Sequence, residues 1–91
     1  MTVDNTRWEL DMTERVALVV APDDNVATLM DDARDITRAA GLDIAPCIPF
    51  GHKIALTAIT AGTPVIKFGV VIGRATQGIA AGEHVHVHNL R

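Results

Sequence analysis

Tyrosine is absent from these 91 residues, tryptophan occurs once, and all aromatics together (Trp8, Phe50 and Phe68) make up 3% of the chain. A core dominated by rings is thereby excluded, and so is a platform on which successive nucleic-acid bases could stack. Cysteine is nearly absent too. Cys47 has no second thiol to join, so no disulfide forms inside the chain, and within "APCIPFGH" it is expected to be a small buried hydrophobe and not a nucleophile. No apolar run approaches the length of a membrane-spanning helix, because charged or turn residues break each one. The opening "MTVDNTRWELDMTER" has neither the basic end nor the apolar stretch of a signal peptide, which predicts a cytoplasmic protein without membrane insertion.

Acidic residues are missing from one half of the chain. Ten of the eleven precede residue 44, where they outweigh Arg7, Arg15, Arg34 and Arg38 to leave a net charge of −6. From Ile44 onward Glu83 stands alone against Lys53, Lys67, Arg74 and Arg91, a net of +3 before any histidine is protonated. A half of that sign suits a small anion. Four scattered cations form no basic stripe, so no nucleic-acid partner is expected.

What is present is aliphatic. Hydrophobic residues reach 48% and the mean hydropathy is positive, with Val, Ile and Ala in place of aromatics, a β-leaning composition that hints at apolar surface left for a partner. The length suits one small domain that buries roughly 60 to 65% of its unfolded surface, with no room for a second catalytic domain.

One short word recurs: "IPFGHKI" at 48–54, "ITAGTPV" at 59–65 and "IAAGEHV" at 79–85, each Ile, two residues, Gly, two residues, then Ile or Val. A fainter copy, "ITRAAGL" at 36–42, has one residue more before its glycine. Each glycine suits a tight turn with positive φ at Gly51, Gly62 and Gly82, feeding a strand whose first inward residue is the aliphatic one. Strands are expected near Arg15–Val20, Lys53–Leu56, Pro64–Lys67, Val70–Ile72 and His84–His88. The stretch 24–41 reads as a strand followed by one or two helical turns. Residues 1–14, where Trp8, Leu10 and Met12 alternate with charged neighbours, are expected to be an arm that either docks on a partner or frays, and 15–91 the domain. The fold class is therefore mainly β, with short strands, glycine turns and at most one or two short helices.

The chain closes on "EHVHVHNLR", with His84, His86 and His88 at alternate positions. In a strand such residues share a face, leaving Val85 and Val87 to pack on the core. Three readings of the imidazole face stay open: solvent, a site for an anion or proton transfer, and metal ligation. Same-face neighbours stand roughly 6.5 to 7 Å apart, so two of the three rings at most should share an ion. His52 and Lys53 follow a turn glycine and are expected at a loop tip, where function concentrates. Lys67 reads equally as a solvated strand end or a substrate contact. Arg74 reads as a surface or interface residue, and Gly69 and Gly73 as turn glycines without chemistry.

"DNVAT" at 24–28, "IPFGHKIAL" at 48–56, "AGTPVIKFGVVIGRAT" at 61–76 and "IAAGEHVHVHNL" at 79–90 together resemble the N-terminal domain of the altronate and galactarate dehydratase family, which occurs fused to a large catalytic portion or as a separate small subunit, as in sulfolactate sulfo-lyase. The longer charged segment "MDDARDITRAAGLDIAPC" departs from the family pattern. The resemblance implies a β-clip fold of the SAF type and a small part of a sugar-acid hydro-lyase, inactive by itself. It implies as partners a large catalytic subunit and a sugar acid or sulfonated hydroxy-acid, with self-association compatible, and as cofactor a divalent metal such as iron held mainly by the large subunit. The reaction needs a base, cations for the developing enediolate and an acid for the leaving group. On that reading His52 and His86 are catalytic, Lys53, Lys67, His88 and Asn89 bind substrate, and His84 with His86 are candidate metal ligands. The alternatives are the small subunit of a sulfolactate sulfo-lyase and a non-catalytic anion-binding or assembly module of the same fold.

Overall fold

All three clear copies of the glycine word make the same turn in the computed structural model, which describes residues 13–91. The amides of His52, Thr63 and Glu83 donate to the carbonyls of Pro49, Thr60 and Ala80 three residues back. Gly51, Gly62 and Gly82 occupy the third turn position at φ of 82°, 85° and 84°. This is a type II turn, whose third residue needs the left-handed backbone that glycine adopts without steric cost. The flanking aliphatics face inward as expected: Ile48, Ile59 and Ile79 enter the turns, Ile54, Val65 and Val85 leave them, and all six are buried. At Gly82 a side chain would also strike the Asp43 carbonyl, so this turn needs glycine twice over.

Every regular element among the described residues is a strand. A four-stranded antiparallel sheet of order β1-β2-β5-β8 joins Ala17–Leu18, Val26–Leu29, Lys53–Ala55 and His84–Val85. Two hairpins stand apart from it: β3 (Arg38–Ala39) with β4 (Leu42–Asp43), and β6 (Pro64–Lys67) with β7 (Val70–Arg74). Each closes through two consecutive positive-φ residues, Ala40–Gly41 and Phe68–Gly69, a pairing that matches the right-handed twist of the strands.

Strand β2 is buried at all four positions because core lies on both sides of it. Val26, Ala55 and Val85 face one cluster, completed by Ile59, Val65, Ala75 and Ile79. Ala27, Leu29 and Ile54 face the other, with Ala39, Ile44 and Ile48. The second cluster is clamped by Arg15, itself buried, which donates to the Asp31 carboxylate at 2.9 Å, the Asp31 carbonyl at 2.7 Å and the Ile48 carbonyl at 2.6 Å.

Several expectations are corrected. The helical turns after β2 are replaced by bends and the β3–β4 hairpin. There Asp31 accepts the Ala33 amide and Asp32 the Phe50 amide, short side chains competing with helical backbone bonds as Asp commonly does. The charged segment at 30–47 is thus part of the domain, supplying Ala39 and Ile44 to the core. Strand β1 is shorter than expected, and Arg15 joins the fold through a bridge to Ala39. Cys47 is exposed, at a positive φ of 65°. Gly73 lies inside β7, where the Arg91 carbonyl approaches too closely for a side chain. Val87 is 82% exposed, because the chain turns after Val85 and strand β8 ends there. The expected arm with Trp8, Leu10 and Met12 lies outside the described residues.

Candidate functional site

The site grows from two copies of the turn word. The first delivers His52 to the start of β5 and the third delivers His84 to the start of β8. Those strands pair antiparallel with Lys53 opposite Val85 and Ile54 opposite His84. One step further along that register His86 stands opposite His52. Directly opposed residues share a sheet face, so three imidazoles from two distant segments meet on one side of the sheet.

Their geometry is tight. His52 Nδ1 and His84 Nε2 are 3.0 Å apart. The His52 and His86 rings stack at 4.1 Å between centroids and 15° between planes, and His84 and His86 stack at 5.7 Å. One ligand nitrogen from each of His52, His84 and His86 falls within 4.8 Å of the others, and all three rings are half-buried. His88 lies at the rim, tilted 52° against His84 at 5.4 Å. Burial pushes the His84 ring down to about 4 from its ordinary 6.5, helped by the neighbouring imidazoles and Lys53. His86 is lowered by the same causes, burial foremost. Both rings are therefore neutral at pH 7, and a neutral ring offers both a proton acceptor and a metal ligand.

Asn89 holds the cluster in shape. It is fully buried, its Oδ1 accepts the His86 amide at 3.0 Å, and its Nδ2 donates to the His84 carbonyl at 2.9 Å. Its own amide donates to the His86 carbonyl. Asn89 was expected to touch substrate. Both ends of its amide are engaged by backbone, where it closes the turn that ends β8 and fixes the chain at His84 and His86.

His52 and Lys53 do not form the single loop-tip pair that was expected. Alternation sends Lys53 to the opposite face, beside Val85 and opposite Thr28, whose buried hydroxyl has no hydrogen-bond partner among the described residues. Burial lowers the Lys53 ammonium, and the charge of Lys67 lowers it further. Lys67 sits at the end of β6 with its ammonium 4.9 Å from the Phe68 ring centroid. Among the described residues neither lysine has an acidic partner. Asn25 brings β6 to this edge by accepting the Ile66 amide at 2.7 Å and donating to the Pro64 carbonyl at 2.9 Å, a role that its place in "DNVAT" did not advertise.

The arrangement thus combines neutral imidazoles on one face of β5 with two uncompensated cations on the other. No enclosed cavity forms around it among the described residues, and no helix there is long and apolar enough to cross a membrane.

The chain has known relatives. The chain belongs to the altronate/galactarate dehydratase SAF domain family, whose model matches residues 15–91. It is 44% identical over 57 residues to the (2R)-sulfolactate sulfo-lyase subunit alpha of Chromohalobacter salexigens, covering 63% of this chain and 61% of that subunit. To the altronate dehydratase of Escherichia coli it is 43% identical over 72 residues, 75% of this chain but 14% of that enzyme. The galactarate dehydratase (L-threo-forming) of Escherichia coli shares 40% over 65 residues, 68% of this chain and 12% of the enzyme. The chain therefore spans about three fifths of the first relative and about one seventh of the second.

Proposed function

We propose that this chain is the SAF part of a lyase that removes water from a sugar-acid carboxylate, and that it works only with a larger catalytic portion. The carrying observation is the meeting of His52, His84 and His86 beside Lys53 in a domain whose relatives are dehydratases. His52 and His86 exchange protons with the substrate, since stacked imidazoles can accept a proton next to a carboxylate and return it to a leaving group. Lys53 and Lys67 attract the acid and oppose charge developing on it. His84 and His88 flank the reacting pair. The larger portion supplies the enclosure and the main site for the divalent metal of the reaction, iron being the first to test. It is expected to settle against exposed valines at the sheet edges, Val16, Val20, Val70 and Val71, of which each is more than half exposed. One exposed, unpaired cysteine accords with a cytoplasmic setting.

A second reading replaces water by sulfite as the leaving group. It is supported by the sulfo-lyase relative, of which this chain covers a far larger share than of the dehydratases.

Mixing tests both readings. The chain alone should not turn over altronate, galactarate or sulfolactate, and should confer turnover of one of them on a candidate large subunit. The acid consumed names the branch. Robust turnover by the chain alone, or a large subunit equally active without it, would sink the proposal.

A further inference from the structure

Three imidazoles converge here with no carboxylate among them in the described residues. Each neutral ring has one donor and one acceptor nitrogen, and the 3.0 Å contact between His52 and His84 uses only one nitrogen of each. Ligand nitrogens about 2.0 to 2.1 Å from a transition metal stand about 3.3 Å from one another around a tetrahedral ion and about 2.9 Å when cis on an octahedral one. The His52–His84 separation already lies in that interval. The third nitrogen, within 4.8 Å of the other two, has about 1.5 Å to close, which a side-chain rotation of a half-exposed ring provides. Asn89 also fixes the backbone at both His84 and His86, which limits how far their rings can stray.

We propose that His52, His84 and His86 form a three-histidine site on this chain for one borderline divalent ion of the Fe²⁺, Co²⁺ and Zn²⁺ class. An all-imidazole set selects such ions over Mg²⁺ and Ca²⁺, which prefer oxygen. Three protein ligands leave coordination positions open, the pattern of a site that receives a ligand and not of one that only staples a fold. Three neutral rings leave the ion its full charge, so the open positions favour an anionic oxygen donor such as a hydroxy-acid carboxylate. With an ion bound, His52 and His86 serve as ligands that orient that donor, in place of the proton exchange proposed for the ion-free rings, and His88 is left as the free imidazole at the rim. The inference deepens the lyase reading, on which it rests only for what the ion is used for.

The test is a titration of the 91-residue chain, prepared without a histidine tag and stripped of metal, with Co²⁺ followed by visible absorption. One equivalent should bind, Zn²⁺ should displace it, and Mg²⁺ and Ca²⁺ should not. His52→Ala, His84→Ala and His86→Ala should each weaken binding by at least ~10²-fold, the upper end of what losing an outer support costs. His88→Ala should change it by less than about 3-fold. Ring-nitrogen NMR shifts of the unaltered chain on adding Zn²⁺ keep the test independent of any variant's folding: His52, His84 and His86 should move and His88 should not. No saturable binding, unchanged binding in His52→Ala, or equal participation of His88 would overturn the site. The titration contains no substrate, so a silent titration beside an active mixed enzyme removes only the ion, and binding without turnover removes only the lyase reading.

Discussion

In the acidic half, carboxylates are spent on the fold. Asp24 accepts the amides of Gly69, Val20 and Ala21, Asp31 those of Val16 and Ala33 together with the Arg15 guanidinium, and Asp32 that of Phe50 together with Arg34. In the cationic half, Lys53 and Lys67 face each other's charge without a counterion among the described residues, and the histidines have chiefly one another. The difference teaches how to sort charge by role. A charge that satisfies backbone donors belongs to folding, whereas a cation left uncompensated beside another cation costs stability and is kept for a ligand.

The strongest way to break this contrast is on the acidic side. Arg15→Ala removes a buried guanidinium and strands the Ile48 carbonyl and Asp31, and should cost about 3 to 5 kcal/mol in urea unfolding, with activity per folded molecule retained. If stability holds and turnover falls, the division by role fails.

On the other side, His86→Gln in the assembled enzyme should lower turnover by ~10²-fold or more and flatten the acid limb of the pH profile while leaving Tm nearly unchanged. Wild-type rates at His86→Gln would return this strand to solvent.

A smaller effect is expected at Asp31. Burial works to raise its carboxyl, but the Val16 amide, Arg15 and the Ala33 amide outweigh it and leave the group below its ordinary 3.8. A depressed carboxyl contributes stability that is present above the unfolded value and lost as pH falls through the folded one. Asp31→Asn should therefore cost about 1 to 2 kcal/mol at neutral pH, and the gap to the unaltered chain should close on acidification past 3.8. A gap independent of pH would assign the loss to shape and not charge.

The smallest effect on folding belongs to Lys67→Ala. The loss of its contact with Phe68 and the relief of repulsion with Lys53 oppose each other, so stability should move by less than about 0.5 kcal/mol. KM should rise several-fold with kcat retained, the mark of ground-state binding. A fall in kcat at unchanged KM would move Lys67 into the chemistry.

Much of the fold was legible because its rules are local. A glycine needed at positive φ shows itself in the chain, as do aliphatics spaced to enter and leave its turn, and Gly51, Gly62 and Gly82 with their flanking Ile and Val residues behave as their spacing predicts. Less legible was 24–43, where Asp31 and Asp32 take up backbone amides and a positive-φ pair at Ala40–Gly41 makes a hairpin that helical spacing conceals. At the site, alternation explained why His84 and His86 share a face. It could not show that the strand stops at Val85, since Asn89 ends it through contacts with His84 and His86 that a spacing of three and five residues permits but does not announce.

The sequence by itself determined the turns, the β character, the aliphatic core positions and the segregation of charge, each set by steric or hydration preferences acting within a few residues. Tertiary structure alone decided that His52 meets His84 across 32 residues of chain, and that Lys53 is turned away from His52 toward Lys67. Both follow from which strands pair and in which register. Register is a long-range choice that the burial of Ile54 and Val85 on opposite faces of one sheet enforces, because a slip of one residue would put each side chain on the wrong side.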